Sequence, residues 1–391
     1  MRIVIAPDSF KESLSASDVA AAIACGVRDV IPDADIVCVP MADGGEGSLD
    51  AVLAATGGER RVARVQNANN QACEASWAWL GDGKAFIEMA EAAGLEQIPP
   101  ASRKPLQATS YGVGQLISQA LDAGANHIVL GLGGSATNDA GAGLIQALGA
   151  NLRDADGNEL PLGGAALAQL ARISLDNLDT RVNDVQFEIA VDVDNPLCGP
   201  RGASAIFGPQ KGASPHEVTL LDAALARFAQ VCAEQLHKDE KETPGMGAAG
   251  GLGFAVKTCM NARFRPGVDL IAELSGLADA MKAAELVFTG EGRMDAQTLL
   301  GKTPAGVARC AARYEIPVIA IVGSLGDGYQ ALYNAGITAA FSLVPGPLTL
   351  EQAYEKTPEY LRQRASDCCR LWLSGRPVNP LTTSSIEADY S

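Results

Sequence analysis

The spacing of apolar residues changes twice along the chain, and the changes divide it into three stretches. Arg2-Ile-Val-Ile-Ala6 and residues 36–39 are short apolar runs, each followed by a polar loop and then by a segment with helical spacing, such as residues 17–30. Such alternation predicts buried strands joined by helices. Beyond residue 61 the period drops to two. Residues 61–65, 72–80 and 84–88 alternate, and Gly81-Asp-Gly83 marks a hairpin turn, so this stretch predicts antiparallel sheet and a second domain of different texture. A short helix or turn at 88–94 and a proline-rich connector at 99–105 lead to a helix that opens near Thr109 and runs to Ala123. Further strands are expected at 128–130 and 187–191, and helices from Ala142 to Leu148 and after Pro266. The strand-helix alternation returns at 286–289, 318–322 and 339–344. It ends in one amphipathic helix, about 350–373, and a polar tail expected to be disordered.

Length and composition fit this division. The 391 residues suffice for two domains with a substantial core, and 42 glycines, 47% hydrophobic residues and only 5% aromatics suit an α/β enzyme with many turns. The formal net charge of −16, with no cluster of Lys and Arg, argues against nucleic acid as a partner. An anionic ligand must therefore be held by local groups against the overall field. Nine cysteines without CxxC or zinc-ligand spacing are read as reduced thiols, and no apolar run is long enough for a membrane span. Together with an N-terminus that enters a strand directly, these features lead us to expect a soluble, cytoplasmic protein with no membrane partner.

The chemistry concentrates in loops that follow strands. In His127-Ile-Val-Leu-Gly-Leu-Gly-Gly-Ser-Ala-Thr-Asn-Asp-Ala-Gly-Ala-Gly143, a buried strand runs into glycines and then into Ser135, Thr137, Asn138 and Asp139, where a helix is expected to start. Hydroxyls, an amide and free backbone N–H groups there predict an anion cradle, with phosphate as its ligand. An ordinary capped turn needs one such residue, whereas four crowd five positions. Gly133 and Gly134 would let the backbone approach the ligand.

Other loops repeat the theme. Asp8, Ser9 and Lys11 follow the first strand, where open α/β sheets place their ligands. Asp43 and Glu46 lie among three glycines after the second strand and suit magnesium or the hydroxyls of a small polyol. Asp192 and Asp194, two apart at a strand end, face one side of extended backbone. The loop Gly208-Pro-Gln-Lys-Gly212 carries a basic residue. The glycine-dense stretch 244–253 reads as a tight or mobile loop whose backbone approaches a ligand or another segment. Gly290-Glu-Gly-Arg-Met-Asp-Ala-Gln-Thr298 offers Glu291 and Arg293, and Lys302 precedes a helix. Gly301-Lys302-Thr303 is not a Walker motif, because the required upstream glycine is missing and Pro304 follows.

Taken together, Ala6-Pro-Asp-Ser-Phe-Lys11, Ala42-Asp-Gly-Gly-Glu-Gly-Ser48, the 131–139 turn, Asp194-Asn-Pro-Leu197 and Thr289-Gly-Glu-Gly-Arg293 through Lys302 resemble the class I glycerate kinases. The resemblance extends to about residue 375. It departs at Glu12 and Ala140, where the family pattern has glycine. It implies phosphorylation of D-glycerate at the 2-hydroxyl by ATP with magnesium, giving 2-phosphoglycerate. It also implies a flavodoxin-like parallel-sheet domain from both chain ends, residues 1–66 and 287–380, with a mixed-sheet α/β domain, 67–286, inserted into it and a tail at 381–391. The substrates would meet in the cleft between the domains. The oligomeric state, monomer or homodimer, stays open.

Phosphoryl transfer needs charge neutralisation, a metal and an aligned alcohol. On residue chemistry Lys11 and the Gly133-Gly-Ser135 turn are assigned to phosphate, Arg293 to the transferring group or the glycerate carboxylate, and Asp192 to the hydroxyl proton. Asp194 and Glu291 are the metal candidates. Two other readings stand beside this one. Gly131-Leu-Gly-Gly-Ser-Ala136 satisfies the GxGxxA pattern of a nicotinamide-dependent oxidoreductase, although no acid ends a second strand about twenty residues on. A non-catalytic sugar-acid binding protein would need the same polar loops.

Overall fold

A computed structural model of the protein describes residues 1–299 and 301–375. The expected tail, like the last residues assigned to the first domain, lies outside the described residues.

Two sheets carry the fold. The first has five parallel strands in the order Ala339–Ser342, Val318–Val322, Leu286–Thr289, Arg2–Ile5, Asp35–Cys38. Numbered along the chain from the far edge this is 2-1-3-4-5, the flavodoxin-like order. Ile3, Ile5, Phe288 and Ile321 point to one face, under helices Ala16–Arg28 and Thr357–Ser374. Val4, Val287, Ala320 and Val322 point to the other, as the two-residue period of a strand requires. Because both faces are covered, the strands read as continuous apolar runs rather than as alternation.

The second sheet has six strands in the order Arg263–Arg265, Gln186–Ala190, His127–Gly131, Lys84–Glu88, Ala72–Gly81, Glu59–Gln66. The first three pairings are parallel and the last two antiparallel. Glu59–Gln66, which the sequence reading gives to the first domain, pairs along its length with Ala72–Gly81. The chain therefore passes between sheets at Gly57 and Gly58. On the return, helices Gly267–Leu274 and Leu277–Met281 pack their apolar residues into the first sheet's core before Leu286 re-enters it. Phe86, Val129 and Ala190 of the second sheet reach the same cluster, so the two sheets share one layer of helices. The opposite face, with Ile87, Ile128, Leu130 and Ile189, is buried under helix Tyr111–Asp122 and the rest of the second domain.

Two local features differ from the sequence expectation, and a third bears on the departures from the family pattern. The glycine-dense stretch enters helix Ala248–Met260, whose residues Ala249, Gly250 and Gly251 have left-handed backbone. The segment it approaches is the 137–140 turn, where the Ala140 N–H donates to the Gly250 carbonyl at 3.0 Å. The single C-terminal helix is two, Leu350–Glu355 and Thr357–Ser374. Pro358 supplies no N–H to continue the first through the second. Finally, Glu12 and Ala140 have φ of 63° and 52°, the left-handed region that glycine enters without strain. That is a physical reason for glycine at both positions in the family pattern.

Gly26 lies where helix Ala16–Arg28 crosses helix Thr357–Ser374, and a Cβ there would overlap the Arg362 carbonyl oxygen. Alanine ordinarily favours a helix over glycine by about 1 kcal/mol. We expect Gly26→Ala to destabilise the protein instead, by about 1–3 kcal/mol from overpacking, read as a lower urea midpoint. An unchanged or higher midpoint would show that the two helices are not in backbone contact.

Candidate active site

The carboxyl ends of both sheets open onto one cleft. The first sheet supplies the loops that bear Asp8 to Lys11, Asp43 to Glu46, Glu291 to Arg293, and Leu343 to Thr349. The second supplies Gly133 to Ser135 and Asp192. The order in which strands are added to the first sheet reverses between the parallel neighbours Arg2–Ile5 and Leu286–Thr289, the switch point where ligands of open α/β sheets bind. The loops after these two strands are tied by the Asp8 N–H donating to the Gly290 carbonyl at 2.8 Å.

Two adjoining compartments occupy the cleft. The larger, about 720 Å³, has a polar end with Asp8, Ser9, Lys11, Asp43, Glu46, Glu291, Arg293 and Lys302, and an apolar wall that includes Leu343, Val344, Pro347, Leu348 and Leu350. The smaller, about 240 Å³, is bounded by Asp43, Gly133, Gly134, Ser135, Asp192 and Lys211. Asp43 lines both. The loops of the two domains touch where they meet. The Gly133 N–H donates to the Gly44 carbonyl at 3.2 Å, and a Cβ on Gly133 would overlap the Cα of Gly45.

The acidic groups are crowded and mostly desolvated. Asp8 accepts from Thr303 Oγ1 at 2.5 Å and from the Ser9 N–H at 2.7 Å. Burial, then the neighbouring charge of Asp43, raises its pKa to about 7. Glu291 accepts from Thr298 Oγ1 at 2.6 Å and from Lys302 Nζ at 3.4 Å, and burial raises its pKa. Asp192 accepts from the Gly267 N–H at 3.0 Å. Its pKa rises to about 7, chiefly through burial, with Asp43 and Asp269 adding repulsion. Glu46 is raised by burial and by Glu96 beside it. Lys11 is exposed, and Arg293 pairs with Asp295 at 3.2 Å.

Part of the expected cradle lies elsewhere. Helix Ala142–Ala147 begins only after Gly141, and the polar residues before it are used in packing. Thr137 and Asn138 are buried and line neither compartment. Thr137 Oγ1 donates to the Ala249 carbonyl at 3.3 Å, and Asn138 Nδ2 to Ser204 Oγ at 2.9 Å. Asp139 accepts from the Ser110 N–H and hydroxyl at 2.8 and 2.9 Å. Asp194 is exposed and paired with Arg201 at 3.2 Å, because the strand ends before it and the chain turns outward. Among the described residues no three His, Cys, Asp or Glu side chains form a preassembled metal site.

Two residues of the region escape the sequence reading. Lys211, noted only as a basic loop residue, is buried against Ser135 and lines the smaller compartment. Glu88, expected to end the 84–88 strand and open a short helix or turn, accepts from the N–H groups of Gly47 and Leu49 at 3.2 and 2.8 Å, at the start of helix Ser48–Thr56. Burial raises its pKa to about 8. Glu88 closes a period-two strand, and that pattern gives no sign that its side chain reaches another segment; for Lys211 only the flanking glycine and proline hinted at a fixed backbone.

Comparison with known proteins agrees with the geometry. A family profile described as the glycerate kinase family matches residues 3–373. The chain is 50% identical to the glycerate 2-kinase of Escherichia coli strain K12, over 90% of this chain and 93% of that protein. It is 48% identical to the glycerate kinase of Bacillus subtilis strain 168, over 94% and 96%. A crystal structure from Salmonella typhimurium LT2, described provisionally as glycerate kinase 2, superposes with a TM-score of 0.86 at 48% identity, covering 96% of this chain and 99% of that one.

The Asp192 environment makes a prediction about stability. Because its pKa is raised from 3.8 to about 7, its protonated form favours folding. That contribution is complete below pH 3.8 and disappears as the pH rises through 7. Asp192→Asn keeps an acceptor for Gly267 and no charge. It should therefore gain in melting temperature over wild type as the pH is raised from 5 to 8. A difference that stays constant across that range would mean the carboxylate is not desolvated.

Proposed function

Since the chain belongs to the glycerate kinase family, we propose that it transfers the γ-phosphoryl group of ATP to the 2-hydroxyl of D-glycerate, releasing 2-phosphoglycerate and ADP. The observation that carries the reading is the pair of unequal compartments meeting at Asp43. The larger has the volume and apolar wall for a nucleoside, and its polar end holds the cations that phosphates require. The smaller suits a three-carbon hydroxy acid. A γ-phosphate reaching from one to the other would meet the alcohol at their junction.

The roles follow from chemistry and position. Lys11, Arg293 and Lys302, with Ser9, lie where the phosphates would run. The Gly133-Gly-Ser135 turn closes the acceptor compartment. Asp192, in that compartment with its pKa near neutrality, is placed to take the proton from the attacking hydroxyl. Asp8, bonded to Thr303, holds the loop after the first strand against the helix that follows Lys302.

Magnesium fits the donor set. It takes oxygen ligands, keeps several waters, and is commonly held by one or two carboxylates together with substrate phosphates. Asp43 and Glu291, at the polar end of the larger compartment, are the carboxylates that would hold it. When bound, the ion neutralises charge that develops on the phosphates. We place the enzyme in the cytoplasm, which supplies ATP and keeps thiols reduced; all nine cysteines are free. No helix among the described residues is long and apolar enough to cross a membrane.

The rival readings find no matching geometry. A dinucleotide fold needs a helix N-terminus directly after its glycine turn, whereas here Gly133 packs on Gly45 and helix Ala142–Ala147 starts later. A pure binding protein would have no use for a nucleotide-sized compartment beside the acid site.

Coupled detection of ADP should show turnover that depends on D-glycerate, with 2-phosphoglycerate as product. Asp192→Asn should lower kcat by about 10²–10⁴ while the KM for glycerate changes little, and an unchanged kcat would remove Asp192 from proton transfer. Chelation by EDTA should stop turnover and added magnesium restore it. Full activity in chelator would refute the metal assignment.

A further inference from the structure

Lys211 is the one lysine or arginine fully buried among the described residues, at 3% exposure. Its Nζ donates to Ser135 Oγ and to the Thr137 carbonyl, both at 2.7 Å. These partners are neutral, and no carboxylate among the described residues forms an ion pair with it. Asp139 is the acid whose charge reaches it, but that carboxylate is already taken up by Ser110 and by the Gly141 and Gly143 N–H groups. An ammonium group has three N–H donors, so one is left for the compartment that Lys211 lines together with Gly133, Ser135 and Asp192.

We propose that Lys211 is the specificity residue of the acceptor compartment: its ammonium, oriented by Ser135 and Thr137, pairs with the carboxylate of the three-carbon acid. The assignment rests on the reading of that compartment as the glycerate site. A buried cation that has only neutral acceptors is unstable as a cation, and burial lowers its pKa to about 7 even though the charge of Asp139 opposes the shift. A carboxylate arriving in the same pocket holds the proton on the lysine and completes the pair. An uncharged polyol of the same size leaves the ammonium unpaired, so the pocket rejects it. Arg293, the other candidate for the carboxylate, is exposed and lines only the larger compartment, where phosphate is its partner.

The test compares wild type with Lys211→Met, Lys211→Gln and Lys211→Arg, using D-glycerate, glycerol and ATP. Lys211→Gln keeps an N–H donor for Ser135 and Thr137 but has no charge, so it carries the test if Lys211→Met fails to fold. We expect both neutral variants to raise the KM for D-glycerate by roughly 10²–10³-fold and to lose the preference for glycerate over glycerol by the same factor. The KM for ATP and the thermal shift given by ATP should stay within about threefold. Lys211→Arg should recover part of the glycerate affinity. An unchanged glycerate KM in Lys211→Gln, or equal losses for glycerate and ATP, would overturn the proposal and leave Lys211 a packing residue. Wild type that fails to phosphorylate glycerate at all would instead refute the functional reading beneath it.

Discussion

The backbone of the 131–135 turn lies directly on that of the 43–47 loop, with Gly133 against Gly44 and Gly45 and no room for a side chain between them. This contact holds the carboxyl ends of two separate sheets at van der Waals distance. Without it the polar loops would line two shallow surfaces rather than one cleft. Glu88 reinforces the joint. It ends a strand of the second sheet, yet accepts from the Gly47 and Leu49 N–H groups at the start of the helix that follows the first sheet's 43–47 loop. Its carboxyl oxygens satisfy two N–H groups that the helix start would otherwise leave without acceptors. The shared helical layer beneath, with Leu49, Val52, Val268 and Ile271 in one core, sets the spacing.

A chain with net charge −16 that binds two anions must solve an electrostatic problem locally. The cleft contains Asp8, Asp43, Glu46 and Glu291 in one compartment and Asp192 beside it. Burial and mutual repulsion push several of their pKa values upward. Such a cluster suits a divalent cation and a transferred proton far better than it suits free phosphate. The cations are distributed accordingly, with Lys11, Arg293 and Lys302 along the larger compartment and Lys211 in the smaller one. The same desolvation that would charge-starve an empty pocket sharpens recognition when the correctly charged ligand fills it.

The longer strands, several helices and the change of domain texture were legible in the sequence, because periodicity is a local property that burial on one or two faces imposes on neighbouring residues; strands of two or three residues, such as Arg263–Arg265 and Asn151–Arg153, are too short to show a period. It also marked the loops that bear Asp8, Asp43, Glu291 and Asp192, since strand ends rich in glycine and acids are unusual in plain turns. Only the tertiary structure decided which polar residues face the cleft. Ser135 lines it while Thr137 and Asn138, two and three residues on, are packed under Ala249 and Ser204. Likewise Asp192 is inside and Asp194 outside. The direction of a side chain in an irregular turn depends on what the distant segment 248–251 or the loop 208–212 places against it. That contact joins residues tens of positions apart, so no local pattern in the chain encodes it, and Lys211 acquires its burial only when the two segments meet.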